Sequence, residues 1–264
     1  MNLESIIVSA QIFLLIFGRV YAMLRTAPLI SSSALPRIGR LGLTFFAAVA
    51  VLPWISSNGV FVIPDKVFDY VVMLAGEVLI GIIIGFILAV MYASFQLAGQ
   101  FFSLQMGFAA SQVYDPLSQI QIPLMGQYLN LIAMFVLIST EGFRKLFLVG
   151  VYRSFRVVTA YDFTAIQDRM FTFAAGAIGG LFRESLVIAL PILGTMLLVS
   201  VTMGLLARAA PQMNLLMLGF PINISVAFLM IFLGLPFLME TFAKIIDLGF
   251  NQVLTVLERV GGVP

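Results

Sequence analysis

Residues Gly107–Pro123 read GFAASQVYDPLSQIQIP and separate two strongly apolar runs. The stretch is neither charged nor greasy. Gln112, Gln119 and Gln121 lie inside it, Gln105 lies just upstream, and Asp115 is its one acid. Asp115 is followed by Pro116. A proline disfavours helix at the residue before it and removes a backbone donor. A helix arriving through Met106 is therefore expected to stop near Gly107, and a new one to begin near Pro123. Non-helical backbone between membrane helices leaves peptide groups without partners. That is tolerable only inside protein or against a water-filled cavity. The stretch is expected to lie on a passage.

Working outward, Val78–Tyr114 holds 37 consecutive uncharged residues. As one helix it would reach about 55 Å, well beyond a ~30 Å hydrocarbon core. Either it bends at Ala98-Gly99, or its far end continues inside a protein assembly. Leu41–Ile55, by contrast, offers only 15 apolar residues, roughly 22 Å of helix. Such lengths do not suit a uniform bundle of spanning rods.

The other segments follow from hydropathy and helix breakers. Leu3–Leu24 is a first helix, retained rather than cleaved, because Glu4 and no basic residue precedes its apolar run. Ser31–Arg40 is a link, and Ser56–Pro64 a turn containing Asn58-Gly59. Asp65–Met106 is the long apolar stretch, and Leu124–Val151 follows the opening loop. Tyr152–Arg169 is expected to be a polar link with one short helix capped by Asp162 or Thr164. Met170–Ala209 and Met213–Asn251 form a final pair joined at Pro211, and the terminal GGVP is expected to fray. The expected fold is an all-α membrane protein of long kinked helices and helical hairpins, with no separate soluble domain.

Composition agrees. The 264 residues are 61% hydrophobic and 10% charged, with a mean hydropathy of +1.11, against about 25% charged in a soluble domain. There is no cysteine and no histidine. Thiol nucleophiles, Cys/His metal sites and histidine acid–base chemistry are thereby removed, and no cofactor or metal is expected. The formal charge of +2 is too small to suggest a nucleic-acid partner.

Ionisable groups inside apolar segments cost free energy unless paired or wetted. Arg19 and Arg25 lie in or beside the first helix, Glu77 in the third, and Arg183 and Glu184 in the penultimate one. Glu77, Gly81 and Gly85 recur every four residues and share one narrow helix face. Glu77 is either a proton or ion site or an ion-pair partner for an arginine at a helix interface. No second membrane carboxylate sits at relay spacing, which favours the pair. Gly81–Gly85 and Gly176–Gly180 have the small-xxx-small spacing that permits close backbone approach. Met106 and Met125 flank the polar loop and are candidates for a re-packable seal.

Ala207–Pro221 reads ARAAPQMNLLMLGFP. Arg208, Pro211, Gln212 and Asn214, followed by Gly219-Phe220-Pro221, resemble the signature of the FliR family of the flagellar type III export gate and its injectisome counterparts. Other marks agree in order. They are Arg19, Ala27-Pro28 and Pro36, then Gly76-Glu77, Gly81 and Gly85-Phe86, then Ala98-Gly99, Gln105, Gly107-Phe108 and Asp115-Pro116. One departure is Asn223, where the family commonly has lysine.

The resemblance implies a gate subunit assembled with FliP and FliQ, near FlhB and FlhA, in the inner membrane at the flagellar basal body. Unfolded flagellar proteins would pass through its channel. The resemblance further implies one export-gate domain: a FliP-like part at about 1–169, a FliQ-like hairpin at about 170–251, and a tail at 252–264. Its plug loop maps onto the opening stretch: Gly107, Phe108, Gln112, Asp115, Pro116, Gln119, Gln121 and Pro123. Glu77, Gly81, Gly85, Arg208, Pro211, Gln212 and Asn214 become assembly or packing positions. A secondary transporter or ion-coupled channel with broken helices is the alternative. It predicts inverted internal similarity and carboxylates at the breaks, and only Asp115 lies near one. A membrane-embedded enzyme lacks HExxH, thiol and G-x-S-x-G elements.

Overall fold

The computed structural model describes residues 3–28, 36–107, 124–158, 163–210, 212 and 215–260. Every described element is helical. In order they are α1 (Leu3–Thr26), α2 (Arg37–Ser57), α3 (Val67–Gln105) and α4 (Leu124–Ser139). A short α5 (Gly142–Lys145), a π-helical segment (Leu146–Arg153) and a short α6 (Ser154–Val157) follow. The chain then runs through α7 (Phe163–Ala209), α8 (Leu215–Leu233) and α9 (Leu235–Val260).

α2 corrects the expectation of a short second segment. It has 21 residues, about 32 Å, which matches a bilayer core. Pro36 is extended at its N-cap and Asn58 closes its C-terminus. Arg37 and Arg40, expected in a link, form its first turn. The Asn58 Nδ2 amide donates to the Trp54 carbonyl at 2.7 Å, and Gly59 carries the chain away at φ +59°.

α3 runs 39 residues without a break at Ala98-Gly99, so the bend considered there does not occur. Gly99 serves packing instead. A Cβ on it would lie 2.5 Å from the Gly126 nitrogen and 2.6 Å from the Met125 carbonyl carbon. α4 is thus held against α3 almost backbone to backbone. The Tyr92 hydroxyl donates to the Asn130 carbonyl at 2.9 Å along the same seam.

Leu124–Val151 is not one helix either. α4 ends at Ser139, and Glu141 adopts a left-handed conformation at φ +55° before Gly142. A polar Thr-Glu-Gly sequence gives the chain turn chemistry that hydropathy averages away. The π-helical segment after it widens the helix by one residue per turn, a form found mostly in single turns. The polar link also shrinks. α7 begins at Phe163 and reaches 47 residues. Met213–Asn251 is likewise divided, because α8 and α9 meet at 65° around Gly234. Pro236 supplies no N–H for the preceding turn, which ends α8 there. Asp162 and the terminal GGVP lie outside the described residues.

Two compact units interleave along the chain. One comprises Met1–Met91, Glu141–Ile178 and Ile246–Pro264, the other Tyr92–Thr140 and Gly179–Ile245. In the first, α1 packs along α2, and Trp54 meets Tyr152 at 4.8 Å between ring centres. In the second, Phe95 packs on Phe242 at 4.4 Å. Among the described residues, four segments are long and apolar enough to cross a membrane: Ile6–Thr26, Arg37–Ser57, Val67–Gln105 and Gly176–Ala209. The bent α8–α9 pair makes a fifth if it counts as one span.

A Gly99→Val substitution is expected to separate α3 from α4, because backbone rather than a flexible side chain occupies the space. The cost is about 1–3 kcal/mol or more. Gly204, whose Cβ position is open, provides the control as Gly204→Ala. Thermal unfolding in detergent should fall for the first variant and stay level for the second, apart from the helix gain of alanine.

Candidate functional site

Two places collect the residues singled out in the sequence. The first is the pair of shoulders on either side of the polar stretch. α3 ends as its sequence dictates: the Met106 N–H donates to the Phe102 carbonyl at 2.9 Å and the Gly107 N–H to Leu104 at 3.1 Å. Gly107 then turns left-handed at φ +84°, a conformation that suits glycine at a helix C-terminus. It has a second reason to be glycine. A Cβ there would meet the Phe220 ring at 2.5 Å. Phe220 belongs to the Gly-Phe-Pro element of the sequence signature, so the far end of α3 and the start of α8 are fitted to each other. The Gln105 side chain reaches within 3.5 Å of Ser200 Oγ on α7.

Met106 and Met125 are both buried, each held in the packing of the second unit. Phe108, Gln112, Asp115, Pro116, Gln119, Gln121 and Pro123 lie outside the described residues, as do Pro211 and Asn214. Arg208 and Gln212 are exposed. Asn223, the departure from the family pattern, is on α8, and its Oδ1 atom is buried without a hydrogen-bond partner among the described residues.

The second place is a buried charge cluster in the first unit. Arg19 on α1 and Glu77 on α3 are 1% and 0% exposed and pair at 2.5 Å, Nε to Oε2. Each of the two terminal nitrogens also makes one hydrogen bond. Nη1 donates to Ser154 Oγ at 3.3 Å and Nη2 to the Val158 carbonyl at 2.8 Å. The Phe155 ring lies under the guanidinium, 4.0 Å from its centre. A planar fork whose three nitrogens donate in different directions meets these demands in a way an ammonium would not. One side chain thereby ties α1, α3 and the α6 turn together. Ser154 in turn donates to the Val151 carbonyl at the end of the π-helical segment, at 2.8 Å.

Gly81 and Gly85 explain how the helices come close enough. A Cβ on Gly81 would strike the Arg19 carbonyl, and one on Gly85 would meet the Met23 carbonyl at 2.8 Å. The narrow face bearing Glu77 is therefore taken within the chain, by α1. Gly176 and Gly180 differ: their Cβ positions are open. Sequence reasoning missed Ser154, Phe155 and the Val158 carbonyl. Their only signal is adjacency to the basic residues Arg153 and Arg156, which gives no direction. Among the described residues, no group of three or more acidic, histidine or cysteine side chains is placed to hold a metal ion.

Comparison with known proteins agrees with the sequence signature. Residues 10–249 match the family described as bacterial export proteins, family 1. The flagellar biosynthetic protein FliR of Bacillus subtilis is 30% identical over 261 residues, spanning 98% of this chain and 99% of that protein. The chain belongs to the FliR family. FliR of Escherichia coli is 27% identical over 92% of this chain and 89% of its own length, and FliR of Borreliella burgdorferi 23% over 98% and 95%. This FliR-family chain is accordingly a membrane protein of the flagellar export apparatus. Matching length on both sides places the Arg19 cluster and both shoulders inside the shared region.

Removing one member of the Arg19–Glu77 pair leaves the other charge buried, at an expected cost of about 3–5 kcal/mol. Arg19→Ala should therefore lower the unfolding midpoint or deplete the protein from membranes. Arg19→Lys should restore little, since it cannot reach Glu77, Ser154 and Val158 together. Unchanged midpoints in both variants would contradict the cluster's structural weight.

Proposed function

We propose that this chain is a core subunit of the protein-conducting gate of flagellar export, working in the inner membrane at the basal body. On this reading it assembles with FliP and FliQ, lies near FlhB and FlhA, and helps form the channel for unfolded flagellar proteins. The segment Phe108–Pro123 is its plug, and Met106, Gly107 and Met125 are the fixed rim on which the plug hangs. The function is steric and non-covalent. The plug blocks ions at rest and yields to an arriving chain. Glutamine suits such a lining because it can donate and accept hydrogen bonds to a varied backbone without holding one side chain.

The observation that carries the proposal is the construction of the two shoulders. Each helix end is pinned, by Gly107 against Phe220 on one side and by Met125 in the core on the other. The polar residues between them are the only such run in an otherwise apolar region of the sequence. Glu77, Gly81 and Gly85 position the α1–α3 core. Arg208, Pro211, Gln212 and Asn214 are assembly positions on this reading, with residues up to about 169 as the FliP-like part and about 170–251 as the FliQ-like hairpin.

Deleting Ser111–Gln119 tests this reading. The complex should still assemble, and resting ion conductance of the membrane should rise. Normal assembly with unchanged conductance would overturn the plug role.

A further inference from the structure

A cavity of about 440 Å³ opens at the C-terminal end of α2, within the first compact unit, lined by Trp54, Asn58, Val60, Tyr152, Phe155 and Arg156. Its volume suits a small molecule or a headgroup rather than a lone ion. Its level follows from α2. That helix matches a bilayer core in length and ends at Ser57, so its last turn lies where hydrocarbon gives way to water. Trp54, the one tryptophan of the chain, sits in that turn. Tyr152 meets it at 4.8 Å between ring centres, with the planes 49° apart. Tryptophan and tyrosine favour the headgroup level, where one end of the ring is apolar and the other wet.

The polar groups of the cavity are one-sided in charge. Arg156 lies over the Tyr152 ring at 5.9 Å and has no acidic partner among the described residues. By contrast, Arg144 pairs with Glu141 and Lys145 with Asp247. No carboxylate lines the cavity. Asn58 directs its amide donors at the Trp54 carbonyl and at Ser57 Oγ, which leaves Oδ1 as an acceptor. A guanidinium, a free amide oxygen and two aromatic rings fit an anion that carries hydroxyl donors and an apolar tail. A cationic ligand in the aromatic corner would be repelled by Arg156.

We propose that this cavity binds the headgroup of an anionic glycerophospholipid. The phosphodiester sits on Arg156, a headgroup hydroxyl donates to Asn58 Oδ1, and the first part of the acyl chains lies against Trp54 and Val60. Basic pockets between membrane helices take lipid headgroups on the same physical grounds. The inference needs only the membrane character of the chain and stands apart from the gate reading.

The single tryptophan makes the site its own reporter. The protein, with the subunits that co-purify, is placed in phosphatidylcholine nanodiscs. These carry increasing fractions of either phosphatidylglycerol or phosphatidylcholine brominated high in the acyl chains. Subtracting the emission of a Trp54→Phe sample isolates Trp54. The quenching curves give relative affinity, expected to favour phosphatidylglycerol about fivefold, as one basic side chain at an anionic lipid confers. Arg156→Gln should remove that preference, and Arg156→Lys should keep most of it. Excess glycerol phosphate, which lacks the chains, should not relieve the quenching. Equal affinity for the two lipids in the parent, or no quenching by either, overturns the site. A preference that survives Arg156→Gln also overturns it. So does relief by glycerol phosphate, which would make the ligand a soluble phosphate instead.

Discussion

The buried contact between Arg19 and Glu77 organises the first compact unit. Two opposite charges at 2.5 Å in a buried site do not by themselves guarantee stability, because desolvation can exceed the attraction. What makes the arrangement work is that both terminal nitrogens of Arg19 also find acceptors, in Ser154 and the Val158 carbonyl, with Phe155 beneath. The site therefore demands the right placement of α1, α3 and α6 at once. Gly81 and Gly85 are the backbone condition for that placement. A side chain at either would hold α1 and α3 apart and strand the charges.

Much of this was legible in the sequence, for identifiable reasons. Uncharged length located α3, and a proline and glycine located its end at Gly107. The four-residue spacing of Glu77, Gly81 and Gly85 revealed one face. Its partner was not legible, because Arg19, Arg25 and Arg183 are equal candidates when only the chain order is known. Local turn chemistry was also lost. Glu141 breaks α4 with a single left-handed residue, and the π-helical segment has no apolar period of its own. Arg37 and Arg40 look like a loop by charge, yet they open α2, where Arg40 is buried. Gly234 and Pro236 were visible but were averaged into one long apolar run. The stretch from Gly107 to Pro123 stands out in the sequence by its polarity, and its residues beyond Gly107 lie outside the described structure.

The lengths of the helices connect the fold to the proposed assembly. α3 and α7 have 39 and 47 residues, near 58 and 70 Å, both longer than a bilayer core. α9 is different again. Its side bearing Phe242, Ile246 and Val253 is buried, while Glu240, Lys244, Asp247 and Glu258 are exposed. Such a helix suits a wet or polar boundary. Helices that overshoot lipid at one place and carry a polar stripe at another fit the proposed assembly, in which other chains would cover them. On that view the Arg19 cluster holds α1, α3 and α6 in place for those chains to dock against.

The central claim is that the Arg19–Glu77 pair is an anchor and carries no protons during export. Replacing both residues by methionine removes the charges together, a change that in buried pairs is often neutral. The direct measurement is export of a flagellar substrate in cells carrying Arg19→Met with Glu77→Met, alongside recovery of the assembled complex. The account predicts export close to that of the parent wherever the complex assembles. Normal assembly with export abolished would contradict it, and would return Glu77 to the proton path.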